Sequence, residues 1–168
     1  RPLQEILRLV KRYLRLGTEE MVLCGINLGR YTWGEDLDLA ALISDIISLG
    51  EGFRIRLSSI ELEDLNLSWL EEWSVNGRIC PHLHLPLQSG DAVILKDMGR
   101  GYGPQDFIEA VRTLNSLWPQ ATLTTEVIVG YPGESDEAFK STVRVLEAVK
   151  PSRLHVFRFS PRPGTRAA

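Results

Sequence analysis

The most constraining feature of this sequence is an alternation of short apolar strand patterns with amphipathic helix patterns along the whole chain. Strand patterns begin near residues 21, 53, 82, 122 and 153, about one βα unit apart. Helical spacing of apolar residues fills the intervals, most clearly over 39–47, 104–117 and 135–149. Repeated βα units with right-handed crossovers form a parallel sheet, which is either open or curved into a barrel.

The number of strands predicts that the barrel is incomplete. A closed (β/α)8 barrel needs eight strands and usually about 250 residues, whereas this chain has 168. Residues 2–16 form a helical pattern, although a parallel unit normally opens on a strand, so we expect a first strand upstream. Arg54 and Arg56 alternate with apolar residues, which is typical of a strand with one polar face. We therefore predict an α/β fold, a partial (β/α) barrel of about five parallel strands with outer helices.

Composition excludes several classes of protein. Hydrophobic residues make up 43% and charged residues 24%, which are ordinary globular values that exclude a disordered chain. No apolar run is long enough to span a membrane. Cys24 and Cys80 match no C-x2-C spacing, so the chain's own cysteines cannot complete a zinc or iron–sulfur site. So few cysteines favour a reducing cytoplasm.

Charge is unevenly distributed. Residues 1–16 carry five cationic side chains and one acidic one, and residues 151–168 carry four cationic side chains and no acidic one, although the net charge is −3. The body of the chain is therefore strongly acidic. Solvated helix faces explain basic ends, and contact with a polyanion such as RNA is the alternative.

Small, polar and turn-forming residues follow each predicted strand. They occupy residues 25–29, 58–59, 86–90, 130–134 and 160–165. Ligands bind at the carboxyl ends of parallel strands, where such loops let backbone groups approach closely. Plain turn chemistry explains any one of these loops, but five in register predict a ligand-binding edge. The turn at 130–134 also opens a helix, whose N-terminus suits a phosphate or carboxylate.

His82 and His84 form an H-x-H pattern on a strand, which places both imidazoles on one face. Metal-dependent hydrolases built on barrels use such pairs. Only one further histidine, His155, is present, and no acidic residue adjoins the pair. The pattern therefore favours hydrogen-bonded polar positions over a metal site.

Six motifs in order carry a family resemblance. They are residues 22–29, 54–61, 79–90, 98–102, 127–134 and 159–165, and they include His84–Gly90 (HLPLQSG) and Val129–Glu134 (VGYPGE). Together they closely resemble the radical S-adenosylmethionine (SAM) methylthiotransferases over essentially all 168 residues. The ending at 153–165 most resembles the branch that acts on N6-threonylcarbamoyladenosine. The chain departs from the family pattern at four positions: Cys24, Leu62, Gly99 and Glu126.

The resemblance implies an enzyme that adds a methylthio group to the hypermodified adenosine beside the tRNA anticodon. It implies SAM and two [4Fe–4S] clusters, with ligand cysteines outside this chain, and a reductant such as flavodoxin or ferredoxin. The chain would then be a radical SAM core fragment without the N-terminal cluster domain, the cluster loop and the C-terminal RNA-binding domain. We expect a cytoplasmic protein with no membrane contact, and a fragment that is inactive alone and holds no catalytic or metal-binding residue.

The resemblance also implies cofactor-binding positions. They are Gly25, Asn27, Ser58, Ser59, Gln88, Ser89, Val129, Gly130, Phe157 and Ser160. Gly25 and Asn27 would lie near the methionyl group of SAM. Ser58 or Ser59 would lie at the mouth of the next strand. Gln88 and Ser89 would face the ribose or the carboxylate, and the last four would contact adenine.

Other interpretations stay open at this point. The chain resembles methylthiotransferases as a group, and one branch of them acts on a ribosomal protein. A metal-dependent barrel hydrolase using His82 and His84 and a non-catalytic module that binds SAM or RNA are the other two. A missing first strand would also leave residues 21–25 as an open sheet edge, so we expect self-association.

Overall fold

The computed structural model describes residues 1–34, 37–164 and 167. Thr165 and Arg166, which the sequence analysis used, lie outside these ranges. The helices of the described part are α1 Leu3–Arg15, α2 Leu39–Ile47, α3 Leu67–Val75, α4 Ala92–Asp97, α5 Pro104–Leu117 and α6 Asp136–Val149. Its strands are β1 Glu20–Leu23, β2 Arg54–Leu57, β3 His82–His84, β4 Thr122–Val129 and β5 Arg153–Arg158. The predicted alternation of strands and helices is confirmed.

All strand pairings between these elements are parallel. β1 pairs with β2, and β3, β4 and β5 pair in that order. Isolated parallel bridges join β2 to the β3 region, at Ile55 opposite Ile79 and at Ser59 opposite His84. The amide of Cys80 also donates to the carbonyl of Ile55 at 2.8 Å. The strands therefore follow one another in chain order as a curved parallel wall, which is the predicted partial barrel.

The hydrophobic core lies between this wall and the helices. Alternate strand residues such as Ile55, Leu57 and Leu83 are almost completely buried, as are Trp73 of α3 and Phe107 of α5. Each such side chain contributes about 1.5–3 kcal/mol by leaving water. The intervening strand residues project from the other side of the wall, here called the open face. They are Glu20, Val22, Arg54, Arg56, His82, His84, Thr122, Thr124, Glu126, Ile128, Arg153, His155 and Phe157.

Side-chain caps fix where the helices begin. The carboxylate of Asp91 accepts the amides of Val93 and Ile94 at 2.9 and 3.0 Å, at the start of α4. The hydroxyl of Ser135 accepts the amide of Ala138 at 3.2 Å, as the sequence predicts for α6. These caps hold the loops that follow β3 and β4 in register with the strand ends.

The first strand lies at an edge of the sheet. Among the described residues, β1 pairs with β2 alone, and a cavity of about 540 Å³ separates it from α1. Self-association through this edge stays a prediction. Within the same ranges, no helix is both long enough and apolar enough to cross a membrane.

Candidate functional site

The carboxyl ends of the parallel strands bring the predicted loops to one edge of the wall. Gly25 and Asn27 line the 540 Å³ cavity beside β1. Ser58 and Ser59 line a second cavity of about 510 Å³ on the open face. The structure therefore gathers these residues at one edge but distributes them between separate cavities.

A third cavity, of about 610 Å³, lies beyond the carboxyl ends of β4 and β5. We call it the rim cavity. Gln88, Phe157 and Ser160 of the predicted set line it, together with Arg100 and Glu126. The full lining combines the amide of Gln88 with five charged side chains and three aromatic rings. Such a mixture of apolar surface and polar groups is what orients a polar organic ligand.

Three of the predicted positions have their polar groups engaged within the protein. The hydroxyl of Ser89, which is 0% exposed, accepts the amide of Asp91 at 3.2 Å. The carbonyl of Val129 accepts the amide of Phe159 at 2.8 Å, and the amide of Gly130 donates to Glu134 Oε2 at 2.6 Å. These groups build the loops, and ligand contact by them stays a prediction.

Gln88 has an unusual conformation. It adopts φ = 64°, a left-handed value that is uncommon outside glycine, and it is 5% exposed. Its Nε2 donates to Glu126 Oε1 at 2.9 Å, whereas its Oε1 is buried and has no hydrogen-bond partner within the described ranges. An unmet buried acceptor costs about 1–3 kcal/mol. Gln88 therefore presents an acceptor that suits a ligand hydroxyl or amino group.

A hydrogen-bond chain on the open face holds Glu126 in turn. His84 Nε2 lies 3.4 Å from Glu126 Oε2, and His84 Nδ1 lies 2.9 Å from Thr124 Oγ1. Because a carboxylate only accepts, Nε2 carries a proton, and in the neutral imidazole Nδ1 then accepts from the hydroxyl. The hydroxyl then accepts from His82 Nε2 at 3.0 Å. One tautomer, with the proton on Nε2, therefore satisfies these contacts for both neutral imidazoles.

The same hydrogen bonds show how His82 and His84 of the H-x-H pattern are used in the structure. Burial lowers the pKa of His82, and the positive charge of the nearby Arg56 lowers it further. A neutral imidazole suits a hydrogen-bonded polar position on the wall, as the H-x-H pattern predicts. Within residues 1–34 and 37–164, no group of three His, Cys, Asp or Glu side chains could hold a metal ion. Hydrogen bonds to Thr124 thus account for both imidazoles as polar positions of the wall.

Sequence reasoning did not single out several contacts at this edge. Arg100 donates to the carboxylate of Glu61, and the amide of Gly101 donates to Glu63 Oε1 at 2.9 Å. The hydroxyl of Tyr102 donates to the carbonyl of Pro86 at 3.0 Å. The three donors, Arg100, Gly101 and Tyr102, fall within a motif quoted only for the family resemblance. Their spacing carries no periodic signal, so their partners follow from the tertiary structure alone.

Tyr102 should make the free energy of unfolding depend on pH in the alkaline range. Burial raises its pKa from 10.0 to about 12, so the folded state favours the neutral phenol. We expect Tyr102→Phe to lower the free energy of unfolding by about 1–2 kcal/mol at neutral pH, because the carbonyl of Pro86 loses its donor. The native protein should lose about 2 kcal/mol between pH 10 and 12, as the unfolded phenol ionises first. Chemical denaturation of the native protein and of Tyr102→Phe between pH 10 and 12 measures this loss. An equally steep loss in Tyr102→Phe would show that Tyr102 is not its cause.

The family model that describes the radical SAM superfamily matches residues 1–146. The chain belongs to the radical SAM superfamily. Membership implies SAM and a [4Fe–4S] cluster, and it confirms the family resemblance of the motifs.

Curated relatives of this radical SAM chain modify tRNA. The threonylcarbamoyladenosine tRNA methylthiotransferase MtaB of Thermotoga maritima is 46% identical over 154 residues, which cover 90% of this chain and 35% of that protein. The tRNA-2-methylthio-N(6)-dimethylallyladenosine synthase of Endomicrobium trichonymphae is 36% identical over 152 residues, covering 90% and 36%. The chain thus spans little more than a third of these relatives.

A solved structure confirms the fold class. Coproporphyrinogen III oxidase (HemN) from Escherichia coli, described as a radical SAM enzyme, superposes with a TM-score of 0.71 over 96% of this chain and 38% of that one. The sequence identity is 15%, so the comparison establishes the fold alone. The partial barrel of the radical SAM type is therefore confirmed.

The residues present fit the two implied cofactors unequally. The unmet buried acceptor of Gln88, beside the rim cavity, fits a ligand with hydroxyl and amino groups such as SAM. A [4Fe–4S] cluster needs several cysteine thiolates. This chain offers Cys24, which is exposed, and Cys80, which is 3% exposed and whose pKa is raised by burial. Its own residues do not fit the cluster.

Proposed function

We propose that this chain is the SAM-binding core of a tRNA methylthiotransferase acting on threonylcarbamoyladenosine. The observation that carries the proposal is the 46% identity over 90% of the chain to a relative named for that activity. The rim cavity supports it, because its polar residues stand where a parallel barrel binds its ligand.

SAM, when bound, supplies the methyl group and a source of the radical chemistry for which the superfamily is named. The chain's own residues would orient it. Gln88 Oε1 would accept a hydrogen bond from a hydroxyl or amino group of the ligand, and Glu126 fixes the amide so that this oxygen stays available. Arg100 adds positive charge at the same rim, and its ion pair with Glu61 fixes its position. The helix-covered core excludes water from one side of the wall.

The remaining parts of the activity are also proposed for the longer protein. They are the second cluster, the cluster and RNA-binding domains, the reductant, the cytoplasmic location and the self-association. The basic residues of α1 and the chain's last segment would suit an RNA partner through their charge. The ribosomal-protein branch and a non-catalytic module are not favoured, because the relatives described above act on tRNA.

A chimera tests the proposal. The 154 matching residues of the Thermotoga maritima relative would be replaced by this chain, and the tRNA nucleosides analysed by mass spectrometry after incubation with SAM and a reductant. We expect 2-methylthio-threonylcarbamoyladenosine to form. Gln88→Ala should abolish most of it, whereas Arg112→Gln, on an outer helix, should not. A folded, cluster-loaded chimera that leaves the tRNA unmodified would refute the proposal.

A further inference from the structure

The cavity on the open face has a chemistry that SAM binding at the rim does not explain. Its volume is about 510 Å³, and Arg56, Arg153, His84, His155 and two serines contribute most of its polar lining. No acidic side chain lines it within the described part of the chain. Two guanidinium groups together with imidazoles and hydroxyls favour an anionic ligand group.

The polar groups of this cavity differ in whether they already have a hydrogen-bond or ion-pair partner within the protein. Arg56 is committed, because its Nε donates to Glu20 Oε1 at 2.7 Å and its NH2 group lies 3.4 Å from Oε2. Arg153 makes no ion pair with any residue of 1–34 or 37–164, and its side chain is exposed. The hydroxyl oxygen of Ser58 is buried and has no partner in the same ranges. The cavity therefore holds a free cation and an unmet hydroxyl.

The register of β5 against β4 aligns the residues of this cavity with those of the rim cavity along one face of β5. Arg153 lies opposite Thr124, His155 opposite Glu126, and Phe157 opposite Ile128, so all three are on the open face of β5. The His155 ring stacks on the Phe157 ring, with centroids 6.5 Å apart, and meets the His84 ring edge-on at 5.9 Å. Phe157 lines the rim cavity and His155 the open-face cavity. One continuous surface thus leads from an aromatic position to a cationic one.

We propose that the open-face cavity recognises the carboxylate of the threonylcarbamoyl group on the substrate adenosine. Arg153 forms the ion pair, and His155 and Ser58 donate hydrogen bonds. The inference rests on the proposed function. A threonylcarbamoyl group carries a carboxylate and a hydroxyl, whereas a dimethylallyl group is a hydrocarbon. A free arginine facing a hydrocarbon would lose hydration without gaining a partner, so the same residues select against the second substrate.

Binding of three nucleosides to the native chain tests whether the cavity recognises the carboxylate. They are threonylcarbamoyladenosine, its methyl ester, which lacks the charge, and dimethylallyladenosine. Binding is followed by NMR titration of the histidine ring signals, since three imidazoles lie at this surface. We expect the free acid to bind at least ten-fold more tightly than the ester, and dimethylallyladenosine to bind no better than the ester.

Substitutions of Arg153 distinguish a direct ion pair with the carboxylate from a general effect of the protein's positive charge. Arg153→Gln should reduce the affinity for the acid to that for the ester and leave the ester unchanged, and Arg153→Lys should restore part of the preference. Arg112→Gln removes the same charge from an exposed position of α5 and should leave the preference intact. Since Arg153 is exposed, these variants should keep the native amide spectrum.

Each contrary result is distinct. Equal binding of acid and ester, or a preference that survives Arg153→Gln, overturns the recognition of the carboxylate while leaving the proposed function in place. Tighter binding of dimethylallyladenosine, or no histidine response to any nucleoside, also overturns it. Failure of the proposed function shows separately, as a chimera that leaves the tRNA unmodified.

Discussion

Replacing Gly90 by alanine should lower the free energy of unfolding by about 3 kcal/mol or more. A Cβ at this position would overlap Thr142 Cα and lie 2.8 Å from the carbonyl oxygen of Ser141, both on the backbone of α6. The amide of Gly90 also donates to Thr142 Oγ1 at 2.8 Å. Backbone atoms cannot rotate away as a side chain does, so α6 must shift from the loop that holds Gln88.

A second glycine provides the matched control. A Cβ at Gly101 would overlap Glu63 Oε1, which is the far end of a flexible side chain that can move aside. Gly101→Ala should therefore cost less than about 1 kcal/mol, the range of a surface substitution. Chemical denaturation of both variants measures the difference. Similar losses in the two would mean that α6 is not held against the loop as tightly as the structure shows.

The elements of this fold could be predicted because their signals are local. Apolar spacing along α5 and α6 repeats with the helical period, and Pro104 and Ser135 mark where these two helices begin. Strand alternation at Arg54–Leu57 separates a buried face from a polar one within four residues. Parallel order follows from the repeated βα units, so the partial barrel needed no long-range information.

The candidate site could be predicted only in outline. The loops after the strands indicated the ligand-binding edge, but sequence does not show whether a polar group faces a ligand or the protein. Ser89 shows this, because its hydroxyl lies 3.5 Å from that of Thr142, a residue from a distant helix. Gln88 also adopts a left-handed backbone that local propensity does not favour. The role of Arg153 required the register of β5 against β4.

Anaerobic reconstitution of this chain with iron and sulfide should yield less than about one-tenth of a [4Fe–4S] cluster per chain, because such clusters are held by several cysteine thiolates. The sequence contains two cysteines. Burial raises the pKa of Cys80, which keeps its thiol protonated at neutral pH. Cys24 is exposed and lies after β1.

Iron and sulfide analysis with visible absorption measures the outcome, and the double variant Cys24→Ser, Cys80→Ser is the control. Because neither thiol can complete a ligand set, the variant should take up the same trace of iron as the native chain. A stoichiometric cluster that the double variant loses would show that these two thiols bind iron. The barrel wall would then supply ligands that its geometry does not indicate, and Cys80 would have to leave the core to do so.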